Sequence, residues 1–156
     1  MVKKTGYSLY TPEELNKILD KYSVPDIIQV PFNILDKRFE AQLVRLHNEG
    51  VEIHTRSTFL QGLFFMNPDE LDSFFNPIKA FIATLQKEMK NKQALATYLL
   101  EEVLKLRFID KVVIGVNTAA QMRGNIRGLL SQGTQPPISI PIVNDSILMP
   151  NLWPKN

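Results

Sequence analysis

Four short segments of strand character recur along this chain, and each leads through a turn or loop into a stretch that reads as helix. The segments lie at 5–9, 27–30, 51–56 and 112–115. The run at 27–30 (Ile27, Ile28, Val30) is stopped by Pro31, and the run at 112–115 (Val112, Val113, Ile114) is nearly all apolar, as in strands buried on both faces. Residues 51–56 alternate apolar and polar. Helical spacing follows at Leu15, Ile18, Leu19 and Tyr22, at Ile78, Phe81, Ile82, Leu85 and Met89, and at Leu95, Leu99 and Val103 within 93–106, while 39–49 reads as a helix with Leu43, Val44 and Leu46 on its apolar side. Thr11 with Glu14, and Thr118 with Gln121, have the spacing of capping boxes, Pro12 suits a first helical turn, and Gly50 is a stop. Strands joined by helices of a dozen or so residues pair in parallel with right-handed crossovers. The chain is therefore expected to be α/β, built of parallel β-α units. Periodicity alone leaves two architectures open, a small open sheet and part of an eight-fold β/α barrel, which needs about 250 residues.

Two segments break the pattern. Residues 57–76 form a long stretch without period, and long loops inside compact domains are often functional. Residues 134–156 hold five of the ten prolines and end near Trp153, whose size favours packing. The expected organisation is a half-barrel over 1–133 and an irregular tail over 134–156 packed on it.

Composition excludes several classes of function. Net charge is +2 with no long block of one sign, so neither a nucleic-acid stripe nor a membrane-binding patch is indicated. Absence of cysteine removes disulfides, thiolate metal sites and cysteine nucleophiles. No apolar run reaches the roughly 18 residues of a membrane helix, and the residues after Met1 lack a signal-peptide core. The expected location is the cytoplasm.

Particular sequences narrow the choice of architecture. Gly6-Tyr7-Ser8-Leu9-Tyr10 followed by Thr11-Pro12-Glu13-Glu14-Leu15 resembles the fifth strand and helix of an aldo/keto reductase. Ile28-Gln29-Val30-Pro31-Phe32-Asn33-Ile34-Leu35-Asp36-Lys37-Arg38 resembles the sixth strand and its loop, and residues 52–62 the seventh. Val113-Ile114-Gly115-Val116-Asn117-Thr118, with Gln121 and Asn125 beyond, resembles the eighth strand and last helix, and Leu148-Met149-Pro150-Asn151-Leu152-Trp153 a terminus found in one subgroup. The resemblance implies the C-terminal half, strands five to eight, of a TIM-type (β/α)8 barrel that reduces carbonyls with NADPH or NADH.

The family's catalytic Asp, Tyr, Lys and His lie on the first four strands. Neither the four tyrosines here (Tyr7, Tyr10, Tyr22, Tyr98) nor His47 and His54 match them, so no catalytic residue is carried over. The resemblance does imply cofactor contacts. Ser8 and Gln29 match residues that hydrogen-bond the nicotinamide carboxamide, while Leu9 replaces a common Asn. Arg56 stands where a Tyr often stacks on the ring, and a guanidinium plane can also stack. Ser57, Phe59, Gln61 and Gly62 match the loop over the pyrophosphate. Gly115, Asn117, Gln121 and Asn125 match the adenosine end. Gly115 and Gln121 stand where NADPH-preferring members place Lys and Arg, and Gly124 replaces a common Glu, which argues against strong 2′-phosphate preference.

Each of these residues also has a plainer reading. Gln29 can be a polar residue at a strand end, Ser57 a turn residue, Arg56 an ion-pairing arginine, and Gln121 only a cap. Asn33, Asp36 and Arg38 fit a loop better than an active site, and Phe64, Phe65, Phe74 and Phe75 fit a core better than a pocket. His54 beside Glu52 lacks a third-ligand pattern for a metal. The leading expectation is the cofactor-binding half of an aldo/keto reductase, from a truncated or split gene or as a fragment, inactive by itself. The alternative is a non-catalytic half-barrel binding a nucleotide or a protein partner. Half a barrel also has two free edges and an uncovered inner face. That surface favours association with a missing N-terminal half or a second copy.

Overall fold

The computed structural model describes residues 1–131 and 138–154. The chain divides into two compact units, one formed by Met1–Thr58 and Glu102–Ile114, the other by Phe59–Glu101 and Gly115–Asn156.

The first unit holds a four-stranded parallel sheet in the order β1 (Gly6–Ser8), β2 (Ile27–Pro31), β3 (Glu52–Arg56), β4 (Lys111–Val112). Its helices are α1 (Pro12–Lys21) and α2 (Glu40–Asn48). Thr11 and Glu14 form the expected capping box, and Gly50 follows α2 with φ 90°, as the predicted stop requires. Side chains alternate across the sheet. Ile28, Val30 and Ile53 are fully buried in a core with Leu15 of α1 and Leu43 and Leu46 of α2. Each such side chain stabilises the fold by about 1.5–3 kcal/mol when fully buried.

The opposite face of the sheet is polar. Ser8, Gln29, His54 and Lys111 form one row across the four strands, with Glu52 and Arg56 on either side of His54 along β3. An open inner face predicts association through apolar surface, but most of what this face carries is hydrogen-bonding groups and ions. Lys4 and Lys111 both pair with Glu52, and His54 Nε2 lies 2.7 Å from the same carboxylate.

β4 is shorter than the run at 112–115 suggests. Val113 N–H still donates to the Thr55 carbonyl at 2.7 Å. Beyond that point β3 ends at Arg56, and Ser57 turns into the left-handed region with φ 63°, so β4 loses its partner strand.

The second unit contains α3 (Asn76–Glu88), the first ten residues of α4 (Lys92–Leu104), α5 (Ala119–Leu130) and α6 (Asp145–Leu148). The aperiodic loop folds into three short helical turns, Leu60–Phe65, Pro68–Glu70 and Ser73–Phe75. Asn67 and Asp72 cap the second and third through their side chains. Gln86 of α3 anchors the first by donating to the carbonyls of Phe64 and Met66, both at 2.8 Å. Phe64 and Phe75 are buried, and Trp153 meets Phe75 edge-on at 5.0 Å. α5 approaches α4 closely through Gly124 and Gly128, where an added methyl would fall onto the side chains of Gln93 and Thr97.

Candidate functional site

Parallel α/β sheets bind ligands beyond the carboxyl ends of their strands. In the first unit, Ser8 is the last residue of β1 and Arg56 the last of β3, with Gln29 two residues before the end of β2. Ser8 and Gln29 are register partners, and Ser8 Oγ donates to Gln29 Oε1 at 3.1 Å. That bond orients the amide and leaves the Gln29 amino group without a partner among the described residues. Leu9, at the position of the missing Asn, is buried in the core.

Among the described residues no carboxylate holds Arg56, which distinguishes it from an ordinary ion-pairing arginine. Nη2 donates to the Leu9 carbonyl at 3.1 Å, Nη1 to Ser57 Oγ at 3.3 Å, and the guanidinium lies 4.3 Å from the centroid of the Tyr10 ring. Cation–π stacking of this kind favours a fixed, planar orientation. Tyr10 thus orients Arg56, a partnership that the sequence does not announce.

Ser57 follows with φ 63°, and Leu60 and Gln61 have φ 43° and 52°. For residues with a Cβ this region costs about 1–2 kcal/mol each. Strain of this sort concentrates at ligand sites and turns that the surrounding structure over-determines. Gly62, with φ 84°, adopts the same region freely. The Thr58 hydroxyl is buried without a hydrogen-bond partner among the described residues.

In the second unit the expected residues have structural duties. Phe59 packs edge-on to Phe65 at 5.5 Å, and Gln61 is exposed. Gly115 is exposed, with open space where a side chain would begin. Gln121 Oε1 accepts from the backbone N–H groups of Asn117 and Thr118 at 2.8 and 3.3 Å, completing the capping box of α5. Only its amino group remains for another partner. Asn125 is 6% exposed, and its Oδ1 accepts from Gln93 at 3.2 Å.

Two clusters in the first unit lie outside the expected set. Glu52 collects Lys111, Lys4 and His54, whose hydrogen bonds hold its carboxyl far below the usual carboxylate range. The second is a buried turn. Asn33 and Asp36 are both fully buried, and Asp36 forms a two-pronged ion pair with Arg38 at 2.9 Å for each bond. Asn and Asp three apart after a strand are a legible turn signal, but their burial is not legible in the same way. Beside this turn, burial lowers the Lys37 amine, which sits 4.3 Å above the Phe32 ring. No cluster of three metal-ligating side chains occurs among the described residues.

No family model matches the sequence, and no curated protein matches it. Solved structures do. The chain is similar to the aldo-keto reductase AKR11C1 from Bacillus halodurans in its holo form, with a TM-score of 0.64 and 19% identity over 83% of this chain and 45% of that one. The apo form gives a TM-score of 0.63 and 18% identity over 82% and 45%. The chain thus spans under half the length of these proteins. At this identity the likeness is one of fold: four parallel strands with helices, matching part of an aldo-keto reductase (β/α)8 barrel.

Proposed function

We propose that this chain binds a nicotinamide dinucleotide, NADP or NAD, as the cofactor half of an aldo/keto reductase-type barrel. The observation that carries this reading is the Ser8–Gln29 pair, hydrogen-bonded in register toward the carboxyl ends of adjacent parallel strands. It presents an amide donor suited to a carboxamide oxygen, and Arg56 adds a flat cation already oriented by Tyr10. The strained backbone at Ser57, Leu60 and Gln61 supports the same reading, because its cost calls for a compensating use. A bound nicotinamide would supply a hydride to a carbonyl carbon. The residues named here bind and orient, and none is assigned as the proton donor that carbonyl reduction needs.

In the second unit the matched amides already have partners. Gln121 retains only its amino group, and Asn125 is buried against Gln93. With no cation at Gly115 or Gln121, NADPH and NADH are expected to bind with similar, weak affinity. Titration of the full chain with each, followed by reduced-nicotinamide fluorescence and by calorimetry, tests this. Saturable binding of both supports the reading, and no binding of either overturns it. The same preparation is expected to turn over no aldehyde with either cofactor, measured as loss of absorbance of the reduced ring.

A further inference from the structure

The left-handed conformation of Ser57 needs a cause, and the structure supplies one. The β2–β3 ladder continues past the strands, with Phe32 N–H donating to the Arg56 carbonyl at 3.0 Å. At the next step a side chain replaces the backbone: Asn33 Nδ2 donates to the Ser57 carbonyl at 3.1 Å. The Asn33 amide is itself fixed. Its Oδ1 accepts from the N–H groups of Leu35 and Asp36 at 2.9 and 3.0 Å. Asp36, fully buried, is locked by Arg38. One rigid amide therefore grips the peptide that follows Ser57 while the chain there holds φ 63°.

We propose that Asn33 is a positioning residue that holds Ser57 in its left-handed conformation, and through Ser57 sets the geometry of the dinucleotide site. The second half of this statement rests on the cofactor reading above. Ser57 Oγ accepts from Arg56 Nη1, so the conformation of Ser57 also reaches the guanidinium. Asn33 touches no ligand in this scheme. It acts by removing the alternative in which Ser57 relaxes to extended backbone and carries its hydroxyl and carbonyl away.

A double-mutant cycle tests the coupling. Asn33→Asp keeps the shape and the acceptor for Leu35 and Asp36 but loses the donor to Ser57. Ser57→Gly makes the left-handed conformation free of steric cost. The dissociation constant for NADH is expected to rise about tenfold for Asn33→Asp in the native serine background, and by about twofold or less in the Ser57→Gly background. Equal losses in the two backgrounds overturn the proposal, because a general structural role would be indifferent to residue 57. Asn33→Ser, too short to reach the carbonyl, replaces Asn33→Asp should that variant not fold. If the wild-type chain binds neither dinucleotide, the cofactor reading fails alone. The same four proteins then decide the positioning role by thermal melting. A smaller loss of midpoint in the Ser57→Gly background than in the native one supports it, and an equal loss overturns it.

Discussion

The two units hold their amide side chains through different kinds of partner. In the sheet unit, Gln29 ends on the polar face with a free amino group, oriented by a neighbouring hydroxyl. In the helical unit, Gln121 is bound to the start of its own helix and Asn125 is buried against Gln93. Both kinds of residue belong to the proposed cofactor set. The difference is the local competition for their hydrogen bonds. A strand satisfies its backbone by pairing with its neighbours and leaves the side chain free. A helix start has orphan N–H groups that a nearby amide answers. A matched amide on a strand is thus better evidence for a ligand than one in the first turn of a helix.

The packing contrast between the units can be broken most forcefully at their cores. Ile53→Ala, on the buried face of the sheet, is expected to destabilise by about 2–5 kcal/mol through lost burial and a cavity, measured by denaturant unfolding. In the second unit the sensitive substitution runs the other way. Gly128→Ala places a methyl on the Thr97 side chain and is expected to cost about 1–3 kcal/mol by overpacking. A neutral Gly128→Ala would mean that α4 and α5 can separate without loss.

Ligand affinity sharpens the comparison of the amides. Gln29→Ala is expected to weaken NADH binding about tenfold with little change in melting. Gln121→Ala should do the reverse, losing about 1 kcal/mol of stability as a cap with a smaller change in affinity. Calorimetric titration and melting of both variants read the two effects apart. The opposite pattern would place the main contact on the helix.

The smallest effect concerns acid. Lys111, Lys4 and His54 hold the Glu52 carboxyl below its ordinary value of 4.5. A carboxylate depressed in the folded state contributes stability above its unfolded pKa and loses it as pH falls toward the folded value. The melting midpoint of wild type should therefore exceed that of Glu52→Gln at neutral pH, and the gap should narrow once pH drops below about 4.5. Lys4 and Lys111 are exposed, so added salt should narrow it as well. A gap that stays constant from neutral pH down to about pH 3 would remove Glu52 from the ionic cluster.

Much of the fold is legible in the sequence. Local chemistry sets both capping boxes, the Gly50 stop and the order of strands and helices, because a cap needs only residues three positions apart and a strand only its own alternation. Features that depend on long-range partners are a different matter. The apolar run predicts a last strand over 112–115, yet β4 spans Lys111–Val112, since its partner turns away at Ser57. A half-barrel leaves its inner face uncovered. That face is ionic because Lys4 and Lys111, far apart in the sequence, meet at Glu52.

What the sequence determined by itself is the alternation of parallel β-α units. Only the tertiary structure decided which of the proposed site residues are buried and which partners hold them. Gln29 and Gln121 carry the same functional group, and the capping-box spacing marks only Gln121 as a local partner of its own helix. The hydrogen bonds of Gln29 and Asn125 depend instead on which groups the fold brings near: Ser8 across a strand pair for Gln29, and Gln93 across two helices for Asn125. The same holds for Ser57, whose carbonyl is gripped by Asn33, 24 positions earlier in the chain.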